Sequence, residues 1–397
     1  MASYPERHAV VVGAGIGGLA AAVALVRVGW HVTVYERAPE LRTEGAGISL
    51  LSNAVRSLDR LGAGDAVRAA AAVMLPGGEG VRTPSGRRLM KPADPSFVSR
   101  HGLSTLVLPR PALHRALYDA LPADCVRTGT EVLRLAGPPA GPVEVSCRDA
   151  AGEHTVPAGL VVAADGTHSR IRRALWPAVA APAYSGHSVW RGIARLDRSE
   201  PGGTTWGCGQ EFGRMPLRDG RVYWYAVANT PPGRRHPDEL AEVVRRFGTW
   251  HHPIPALLRA TPADEVLHHD VFELAQPLPG YAKGVTALLG DAAHAMTSDL
   301  GQGACQALED AVVLGAELAA DSDVPTALAR YDAQRRPRAQ TVVEASRRMG
   351  RLKLRERWWD VLMRNALISV MPPRAGEKAM ARIGDWHPPA LPAREAP

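Results

Sequence analysis

Residues 8–37 constrain the fold more than any other stretch of the chain. The order is a short apolar run, a glycine-rich turn, an apolar segment of helical length, and a second apolar run that closes on Glu36. Gly13, Gly15 and Gly18 fill the pattern G-x-G-x-x-G. In that pattern the first glycine permits a tight turn, the second lets the backbone approach a pyrophosphate, and the third lets the helix pack closely on the strand.

Glu36 separates this stretch from an ordinary glycine-rich turn. It lies about 20 residues beyond the turn, where an acidic side chain accepts hydrogen bonds from the ribose hydroxyls of an adenosine. A glycine-rich turn in a plain strand–helix–strand unit is the alternative, and it does not account for this acid. The stretch therefore predicts a dinucleotide-binding site.

Composition excludes several classes of protein. The four cysteines are scattered without a C-x-x-C pair, which argues against a disulfide framework or a zinc site and fits a reducing cytoplasm. The net charge is +7, but the basic residues are dispersed and only 5% of residues are aromatic, so we expect no nucleic-acid partner. There is no apolar run long enough to span a membrane and no apolar signal core at the N-terminus, so we expect neither membrane insertion nor secretion.

Two further strand ends carry glycine and aspartate. The apolar run 160–164 ends at Asp165-Gly166, and the run 284–289 ends at Gly290-Asp291. Ligands of a doubly wound sheet lie at the carboxyl ends of its strands. A single NAD site needs only the first glycine turn and its acid, so three converging strand ends imply one large, extended ligand.

Other segments complete the expected fold. Residues 186–229 are β-rich and divided by Gly, Pro and Asp turns, which predicts an antiparallel sheet. The fold class is α/β: a doubly wound, Rossmann-like domain with an inserted antiparallel β-sheet domain and C-terminal helices. We expect Ser52 or Asn53 to cap a helix and the helix of residues 324–353 to be interrupted near Pro337. The helix of residues 358–370 packs on the core or covers a partner subunit, and the Pro-rich tail beyond it is loose.

Three motifs together resemble one known family. They are GAGIGG followed by VYER, AADGTHSRIRR, and GDAAHAMTSDLGQGACQALEDA. The chain resembles, from about residue 8 to about residue 350, the single-component FAD monooxygenases built like para-hydroxybenzoate hydroxylase. That family includes salicylate hydroxylase, zeaxanthin epoxidase and a bacterial urate hydroxylase.

The resemblance implies a cofactor set and a domain division. FAD is the bound cofactor, NADH or NADPH is a transient co-substrate without a domain of its own, and O₂ is the oxidant. The implied FAD-binding domain comprises residues 1–75, 101–180 and 280–345, the substrate-binding β-sheet domain residues 76–100 and 181–279, and the C-terminal helix and tail residues 346–397.

The resemblance also implies which residues contact the cofactor. Glu36 takes the adenosine ribose, Arg110 reaches the phosphate and ribityl region, and the helix N-terminus from Gly301 stabilises negative charge on reduced flavin. The full set is Gly13, Gly15, Ile16, Gly17, Gly18, Glu36, Arg37, Ala46, Gly47, Arg110, Val132, Asp165, Gly166, Asp291, Gly301, Gln302, Gly303, Ala304 and Cys305. Arg170 supports the loop after Asp165 or meets the nicotinamide cofactor.

The sequence departs from the family at two informative positions. Ser298 stands where many members have proline, which keeps a backbone carbonyl but reduces the rigidity of the loop. Cys305 stands where many members have asparagine. A catalytic thiolate at Cys305 would need a lowered pKa, and a small packing residue is the alternative.

Candidate catalytic residues lie on the second domain's sheet, which the family places over the flavin. Arg191 could pair with a carboxylate or enolate. Glu211, or Gln210 beside it, is a second candidate, and Tyr223 and Tyr225 share one strand face. Ordinary sheet packing is the alternative for each. His294 suits a structural role better than that of a catalytic base.

The implied reaction is hydroxylation or epoxidation of an aromatic or polycyclic small molecule through a flavin C4a-hydroperoxide. A flavoprotein oxidase or reductase without oxygen insertion is the alternative, and a non-enzymatic flavin-binding regulator is a third. The W-x-W-x-I-P segment of flavin halogenases is absent from the sequence. The sequence leaves open which compound is the substrate, whether NADH or NADPH is the co-substrate, and whether the protein is a monomer or a homodimer.

Overall fold

The structure is a computed structural model. It describes residues 7–41, 45–74, 78–92, 94, 96, 102, 104–138, 141–179, 181–196, 201–371, 378 and 381–392. Within these residues, none of the helices combines the length and the apolar character needed to span a bilayer.

A six-stranded sheet forms the centre of the first layer. Its spatial order is Ala282–Lys283 (β18), Thr286–Leu288 (β19), Leu160–Ala163 (β12), His8–Val12 (β1), His31–Tyr35 (β2) and Val126–Arg127 (β8). All neighbours are parallel except β18 and β19. The β1 and β12 strands are buried along their whole length, as expected of parallel strands covered on both faces. The carboxyl ends of β1, β12 and β19 therefore share one edge, as the sequence predicted.

Two small sheets flank this layer. One contains Gly47–Leu51 (β3), Thr105–Pro109 (β7) and Ala72–Met74 (β4). The other contains Glu131–Ala136 (β9), Val143–Asp149 (β10) and Gly152–Ala158 (β11), and its last two strands form the hairpin predicted from the turn at residues 150–152.

Eleven helices are assigned bounds within the described residues. They are α1 Ile16–Arg27, α2 Ser52–Leu61, α3 Gly64–Ala70, α4 Arg110–Tyr118, α5 Arg170–Leu175, α6 Glu239–Phe247, α7 Ile254–Arg259, α8 Asp291–His294, α9 Gly303–Ala320, α10 Val324–Lys353 and α11 Trp358–Val370. Short 3₁₀ turns occupy Ala263–Glu265 and Ser298–Leu300. The α1 and α9 helices pack on each other so closely that a Cβ at Gly315 would lie 3.0 Å from the Cβ of Ala24.

A seven-stranded sheet forms the second layer. Its order is Leu267–Glu273 (β17), Ala183–Ala194 (β13), Val222–Asn229 (β16), Gln210–Pro216 (β15), Gly203–Trp206 (β14), Val81–Arg82 (β5) and Arg88–Met90 (β6). The pairs from β17 to β14 are antiparallel, which confirms the prediction for residues 186–229. Since side chains alternate between faces, Trp190, Phe212 and Trp224 point to one side, where they pack with residues of α6 and α7.

The other face of this sheet meets the first layer. A Cβ at Gly47, at the start of β3, would lie 2.4 Å from the ring Cγ of Tyr223 on β16. Only glycine permits this close approach. The contact shows that the two layers press directly on each other at the strand that carries both candidate tyrosines.

The predicted cap of α2 is wrong. Neither Ser52 nor Asn53 caps the helix, whose N-cap position is Leu51 without a side-chain hydrogen bond. Both polar side chains have long-range partners instead. Ser52 Oγ accepts from the backbone N–H of Ser104 at 2.9 Å, and Asn53 Nδ2 donates to Glu309 Oε1 at 2.6 Å.

The predicted interruption at Pro337 is also wrong. The α10 helix runs through this proline over 30 residues. Proline removes one backbone hydrogen bond, but buried ion pairs hold the helix on both sides of it. Arg335 Nη1 lies 2.6 Å from Glu309 Oε2, and Arg338 Nη2 lies 3.1 Å from Glu309 Oε1.

In the C-terminal segment, α11 packs on the rest of the protein along one narrow face, and the expectation of a loose tail is wrong. Only Arg364 and Ile368 of α11 are buried, while Trp358, Leu362 and Leu367 are each 60–70% exposed, so most of this helix does not pack on the core. The tail at 382–391 is not loose: Arg338 Nη2 donates to the carbonyl of Ile383 at 2.6 Å. Tail residues 372–377, 379–380 and 393–397 lie outside the described residues.

Candidate functional site

The three strand ends meet as predicted. A Cβ at Gly13, which follows β1, would lie 2.5 Å from the carbonyl oxygen of Ala164, which follows β12. The hydroxyl of Thr167 lies 3.2 Å from Asp291 Oδ2, so the loops after β12 and β19 are also in contact. The edge of the sheet therefore carries one continuous surface.

Arg172 fastens two of these loops together. Its side chain is 1% exposed and donates to the carbonyl of Thr167 at 2.7 Å and to that of Ala292 at 3.1 Å. Burial lowers the pKa of its guanidinium, although nearby Asp165 opposes that effect. No local sequence pattern marks Arg172 for this role. Arg170, the arginine considered for this loop, pairs with Glu131 at 2.6 Å and is half exposed.

The glycines of the turn have different surroundings. Gly13 has a φ of +102°, which favours glycine. A Cβ at Gly18 would lie 1.9 Å from the carbonyl oxygen of Gly13, so this glycine permits close packing of α1 on the turn. A Cβ at Gly15 would have no heavy atom within 4 Å. The open space at Gly15 is the approach that a pyrophosphate requires.

Glu36 lies beside the turn. Its Oε2 accepts from the N–H of Ala14 at 2.9 Å, and its Oε1 accepts from that of Ala38 at 2.9 Å. A carboxylate offers about four acceptor positions, so capacity for ribose hydroxyls remains. His114 Nε2 lies 2.7 Å from the carbonyl oxygen of Ala14 and holds the turn from α4, a contact that sequence reasoning missed.

The two carboxylate oxygens of Asp165 differ: one holds the following loop, and the other has no partner among the described residues. Its Oδ2 accepts from the N–H of Arg170 at 2.9 Å and from that of Ile171 at 3.3 Å. Its Oδ1 is buried and has no hydrogen-bond partner among the described residues. A buried acceptor without a donor is costly, so this oxygen is suited to a ligand hydroxyl.

The start of α9 lies at the same edge of the sheet. Gly301 is left-handed with a φ of +63°, and no side chain caps the helix or places an acid in its first turn. Fully buried Gln302 accepts from Asn53 Nδ2 at 3.0 Å, which locks the turn to α2. The first N–H groups of α9 therefore present an uncompensated positive dipole end.

Cys305 is a packing residue. It is fully buried, its Sγ lies 3.5 Å from the carbonyl oxygen of Gly301, and burial raises the pKa of its thiol to about 12. A thiol with this pKa carries almost no thiolate at neutral pH. The packing alternative therefore accounts for Cys305, and the thiolate alternative does not.

We expect thiol-reactive reagents to confirm this assignment. Iodoacetamide at pH 8 should modify exposed Cys208 in the native protein and leave Cys305 unmodified, with mass spectrometry locating the adduct. The same protein in denaturant is the control and should react at all four cysteines. Native labelling of Cys305 at the rate of Cys208 would contradict the assignment.

The remaining candidate cofactor-binding residues differ in their exposure to solvent. Arg37, Arg110 and Asp291 are exposed, while Val132 is 9% exposed and pairs with Cys147 in the β9–β10 ladder. The carbonyl of Ala46 accepts from the N–H of Arg110 at 3.0 Å, which joins the start of β3 to that of α4. Gly17 is a packing position, since a Cβ there would lie 2.8 Å from Leu289 Cδ2.

The candidate catalytic residues share one face of the second sheet. Arg191 on β13 is directly opposite Tyr225 on β16, and its positive charge acts on the neighbouring hydroxyl of Tyr223. Burial raises the pKa of Tyr223, whereas Arg191 opposes that shift. Among the described residues, Arg191 forms no ion pair with a carboxylate. Gln210 is on the opposite face from Glu211 and does not belong to this group.

Glu211 is buried and already paired. It is 1% exposed, accepts from the Tyr225 hydroxyl at 3.2 Å and lies 3.0 Å from the ammonium of Lys353. Burial raises the pKa of its carboxyl, while Lys353 opposes that shift. Burial and then Glu211 raise the pKa of Tyr225 well above its ordinary value. Lys353 was missed because it lies 142 residues from Glu211 in sequence.

Positive charge is concentrated beside this face. Burial lowers the pKa of His269 on β17, and Arg191, Arg235 and Arg110 lower it further. His269 and Arg235 also line a cavity of about 290 Å³ next to the Asp165 loop, together with Thr167, His168, Asp270 and Phe272. Arg235 is itself paired with Asp270 at 3.2 Å, so Arg191 is the cation of this region that suits an anionic or electron-rich group.

His294 has the structural role favoured by the sequence. Its side chain is fully buried, and its Nε2 lies 2.6 Å from Asp310 Oδ2 on α9. The same carboxylate accepts from the N–H of Gly290 at 3.0 Å. His294 thus fixes the turn after β19.

These features fit an extended anionic dinucleotide. The open space at Gly15, the unpartnered Asp165 Oδ1 and the uncapped start of α9 all lie along the shared edge of the sheet. The open approach at the glycine suits the pyrophosphate of FAD, and the unpartnered acceptor suits one of its hydroxyls. The helix dipole suits the flavin ring, which gains negative charge when it is reduced. The fold and site define a dinucleotide-binding oxidoreductase with a second, seven-stranded sheet.

Comparison with known proteins narrows this class. The sequence matches the family described as FAD binding domain over residues 6–346. It is 37% identical over 366 residues to the aurachin C monooxygenase/isomerase of Stigmatella aurantiaca, covering 91% of this chain and 94% of that protein. It is 34% identical over 385 residues to the 2-heptyl-3-hydroxy-4(1H)-quinolone synthase of Pseudomonas aeruginosa, covering 94% and 97%.

A solved structure agrees with these relatives. The crystal structure of Klebsiella pneumoniae HpxO complexed with FAD and uric acid is 29% identical and superposes with a TM-score of 0.85, covering 95% of this chain and 96% of that one. The chain belongs to the FAD binding domain family. It is an FAD-dependent monooxygenase. This confirms the family that the sequence resembles, and it does not support the alternative of an oxidase or reductase.

Proposed function

We propose that this monooxygenase oxygenates a planar heteroaromatic compound that carries an acidic ring oxygen, held by Arg191 and Tyr223. The observation that carries this proposal is the Arg191 guanidinium on the inward face of the substrate sheet. It lies beside buried Tyr223 and forms no ion pair with a carboxylate among the described residues. A phenolate or enolate oxygen would complete the hydrogen bonding of both groups. The quinolone in one relative's name and the uric acid in the solved structure support this substrate class.

We also propose that FAD binds along the edge where the three strands end. The glycine turn and Glu36 would hold the adenosine and pyrophosphate, Asp165 and Asp291 the polyol chain, and the start of α9 the isoalloxazine ring. The division into an FAD-binding domain and a substrate-binding sheet domain follows from this placement. Four free cysteines support a location in the reducing cytoplasm.

The mechanism assigns distinct tasks to the protein's residues. When bound, FAD accepts a hydride from NAD(P)H and activates O₂ for transfer to an electron-rich carbon. Arg191 holds the substrate oxygen in its ionised form, which raises the electron density of the ring. The Tyr223 and Tyr225 rings, with centroids 6.3 Å apart, present an apolar wall against which the substrate lies and which excludes water.

Replacement of Arg191 tests the substrate proposal. Loss of a charge-assisted hydrogen bond costs about 1.5–3 kcal/mol, so Arg191→Met should lower kcat/KM by about 10- to 100-fold. The kcat/KM of Arg191→Lys should lie between those of the wild type and Arg191→Met, since lysine keeps the positive charge but lacks the planar guanidinium. Substrate-stimulated NAD(P)H oxidation with hydroxyquinolines, oxopurines and hydroxybenzoates gives the measurement.

Arg195, which directly follows the last residue of β13, provides a matched control. It forms an exposed ion pair with Glu265, so Arg195→Met should leave kcat/KM nearly unchanged. An Arg191→Met protein with unaltered kcat/KM for its best substrate would contradict the anchoring role. A preference for aromatic compounds without any acidic oxygen would contradict the proposed substrate class.

A further inference from the structure

The loop of residues 297–301 lies along one face of α10. Ser346 Oγ donates to the carbonyl of Thr297 at 2.8 Å, and the two hydroxyls of these residues are 3.1 Å apart. One turn further on, Gly350 allows the side chain of Asp299 to approach, since a Cβ there would lie 2.5 Å from Asp299 Oδ2. The loop is therefore seated on the helix at two consecutive points.

Lys353 provides a third point on the same face. Its ammonium donates to the carbonyl of Asp299 at 2.8 Å and lies 3.8 Å from Asp299 Oδ1. Residues 346, 350 and 353 are spaced by four and three positions, which places them on one side of a helix. The three residues are all buried, so they form a continuous contact with the loop.

The same ammonium reaches the substrate sheet. It lies 3.0 Å from Glu211 Oε2, and Tyr225 donates to the other oxygen of that carboxylate. Lys353 has 7% of its side chain exposed and Glu211 has 2%. One buried cation thus joins the loop backbone to the strand face that carries the candidate tyrosines.

The loop needs such support because serine at position 298 does not restrict the backbone φ angle as proline does. A proline at position 298 would fix φ near −65°. Thr297 has φ −62° and ψ 153°, the extended conformation that a residue before proline adopts. The local backbone is therefore already compatible with proline, although the sequence provides none.

We propose that Lys353 is a positioning residue that fastens the 297–301 loop to the substrate sheet and thereby provides the rigidity that Ser298 does not. This inference rests on the proposed placement of FAD beside the start of α9. It assigns Lys353 a role through the loop and through Glu211, without contact with the substrate. The loop and the face of Tyr225 then keep one fixed spacing across the site.

Amide hydrogen exchange measures this role directly. The Gly301 N–H donates to the carbonyl of Ser298 at 3.0 Å, so its exchange reports whether the turn is closed. Lys353→Met should raise the exchange rate of the Gly301 amide about tenfold, measured by fragmentation mass spectrometry. Adding Ser298→Pro to that variant should restore slow exchange. Gly350→Ala should open the loop without removing a charge.

Arg347→Met is the matched control on the same helix. Arg347 pairs with Glu273 at 3.0 Å and donates to the carbonyl of Leu274, so it joins α10 to the sheet, and among the described residues it forms no hydrogen bond or ion pair with the loop. This variant should leave exchange at Gly301 unchanged. Equal exchange in wild type, Lys353→Met and Gly350→Ala would overturn the proposal, as would a failure of Ser298→Pro to slow it in the Lys353→Met protein.

The visible spectrum of the holoenzyme gives a second signature. The vibronic shoulder on the flavin absorption band should fade in Lys353→Met and return in the double variant. Amide exchange is measured with and without added FAD, so that the proposed FAD site and the proposed role of Lys353 are tested independently. A wild-type protein that binds no FAD would refute the proposed site, while the exchange pattern of the FAD-free chain would still decide the role of Lys353.

Discussion

Replacing Gly15 with valine should leave the fold intact and weaken FAD binding by roughly 100-fold or more. The backbone at Gly15 has φ −71° and ψ 178°, which any residue adopts, and a Cβ there meets no protein atom within 4 Å. The added side chain would occupy the approach of the pyrophosphate. Loss of one or two hydrogen bonds to a charged group costs about 1.5–3 kcal/mol each, which gives this factor.

Fluorescence titration of the FAD-free protein with FAD measures the effect, and circular dichroism verifies the fold. Gly18→Ala is the contrasting variant, because its Cβ would lie 1.9 Å from the carbonyl oxygen of Gly13. That variant should lose stability as well as FAD. A Gly15→Val protein that binds FAD with wild-type affinity would show that the cofactor does not cross the glycine turn.

Removal of Arg335 should produce the largest loss of stability. Its buried guanidinium lies 2.7 Å from Asp310 Oδ1 and 2.6 Å from Glu309 Oε2, and Arg335→Met leaves two carboxylates buried without this partner. Breaking a buried pair in this way costs about 3–5 kcal/mol of unfolding free energy. Denaturant unfolding followed by circular dichroism gives the value.

Arg330 supplies the control for this measurement. Its side chain is 40% exposed and pairs with Glu317 and Asp321 near the surface. Arg330→Met should cost at most about 1 kcal/mol. If the two variants lose similar free energy, the buried cluster does not stabilise the contact between α9 and α10.

The same cluster predicts an acid limit. Despite its burial, the pKa of Asp310 is lowered from 3.8 to about 2, chiefly by His294 and then Arg335. A depressed pKa contributes stability that is complete above pH 3.8 and is lost as the pH falls through about 2. Wild-type unfolding free energy should fall over this window, and the fall should be smaller in Arg335→Met because less of the shift remains.

The sequence predicted the parts of the fold that depend on local spacing. The glycine turn, the apolar parallel strands and the Gly-Asp strand ends each carry their signal within a few residues, and strand parallelism then brings Gly13, Asp165 and Gly290 to one edge. The antiparallel sheet was equally accessible, because side-chain alternation placed Tyr223 and Tyr225 on one face. That shared face follows from period-two geometry alone.

Contacts between distant residues were not accessible in this way. Arg172, His114 and Lys353 act through carbonyls and carboxylates that no nearby pattern marks. Asn53 has the residue type of a helix cap, yet its amide bonds to Glu309, 256 positions away. Pro337 has the residue type of a helix breaker, but the ion pairs of Arg335 and Arg338 hold the helix together. In each case tertiary contacts override a local preference.

Transfer of isotopic oxygen from O₂ to the product distinguishes a monooxygenase from an oxidase or a reductase. The purified holoenzyme is supplied with NAD(P)H, ¹⁸O₂ and the compound that most stimulates NAD(P)H oxidation. Mass spectrometry then determines the mass of the product. A monooxygenase yields a product that contains one oxygen atom from ¹⁸O₂, and the other oxygen atom appears in water. A product without the label, or hydrogen peroxide as the sole fate of the oxygen with every compound, would contradict the assignment of a monooxygenase.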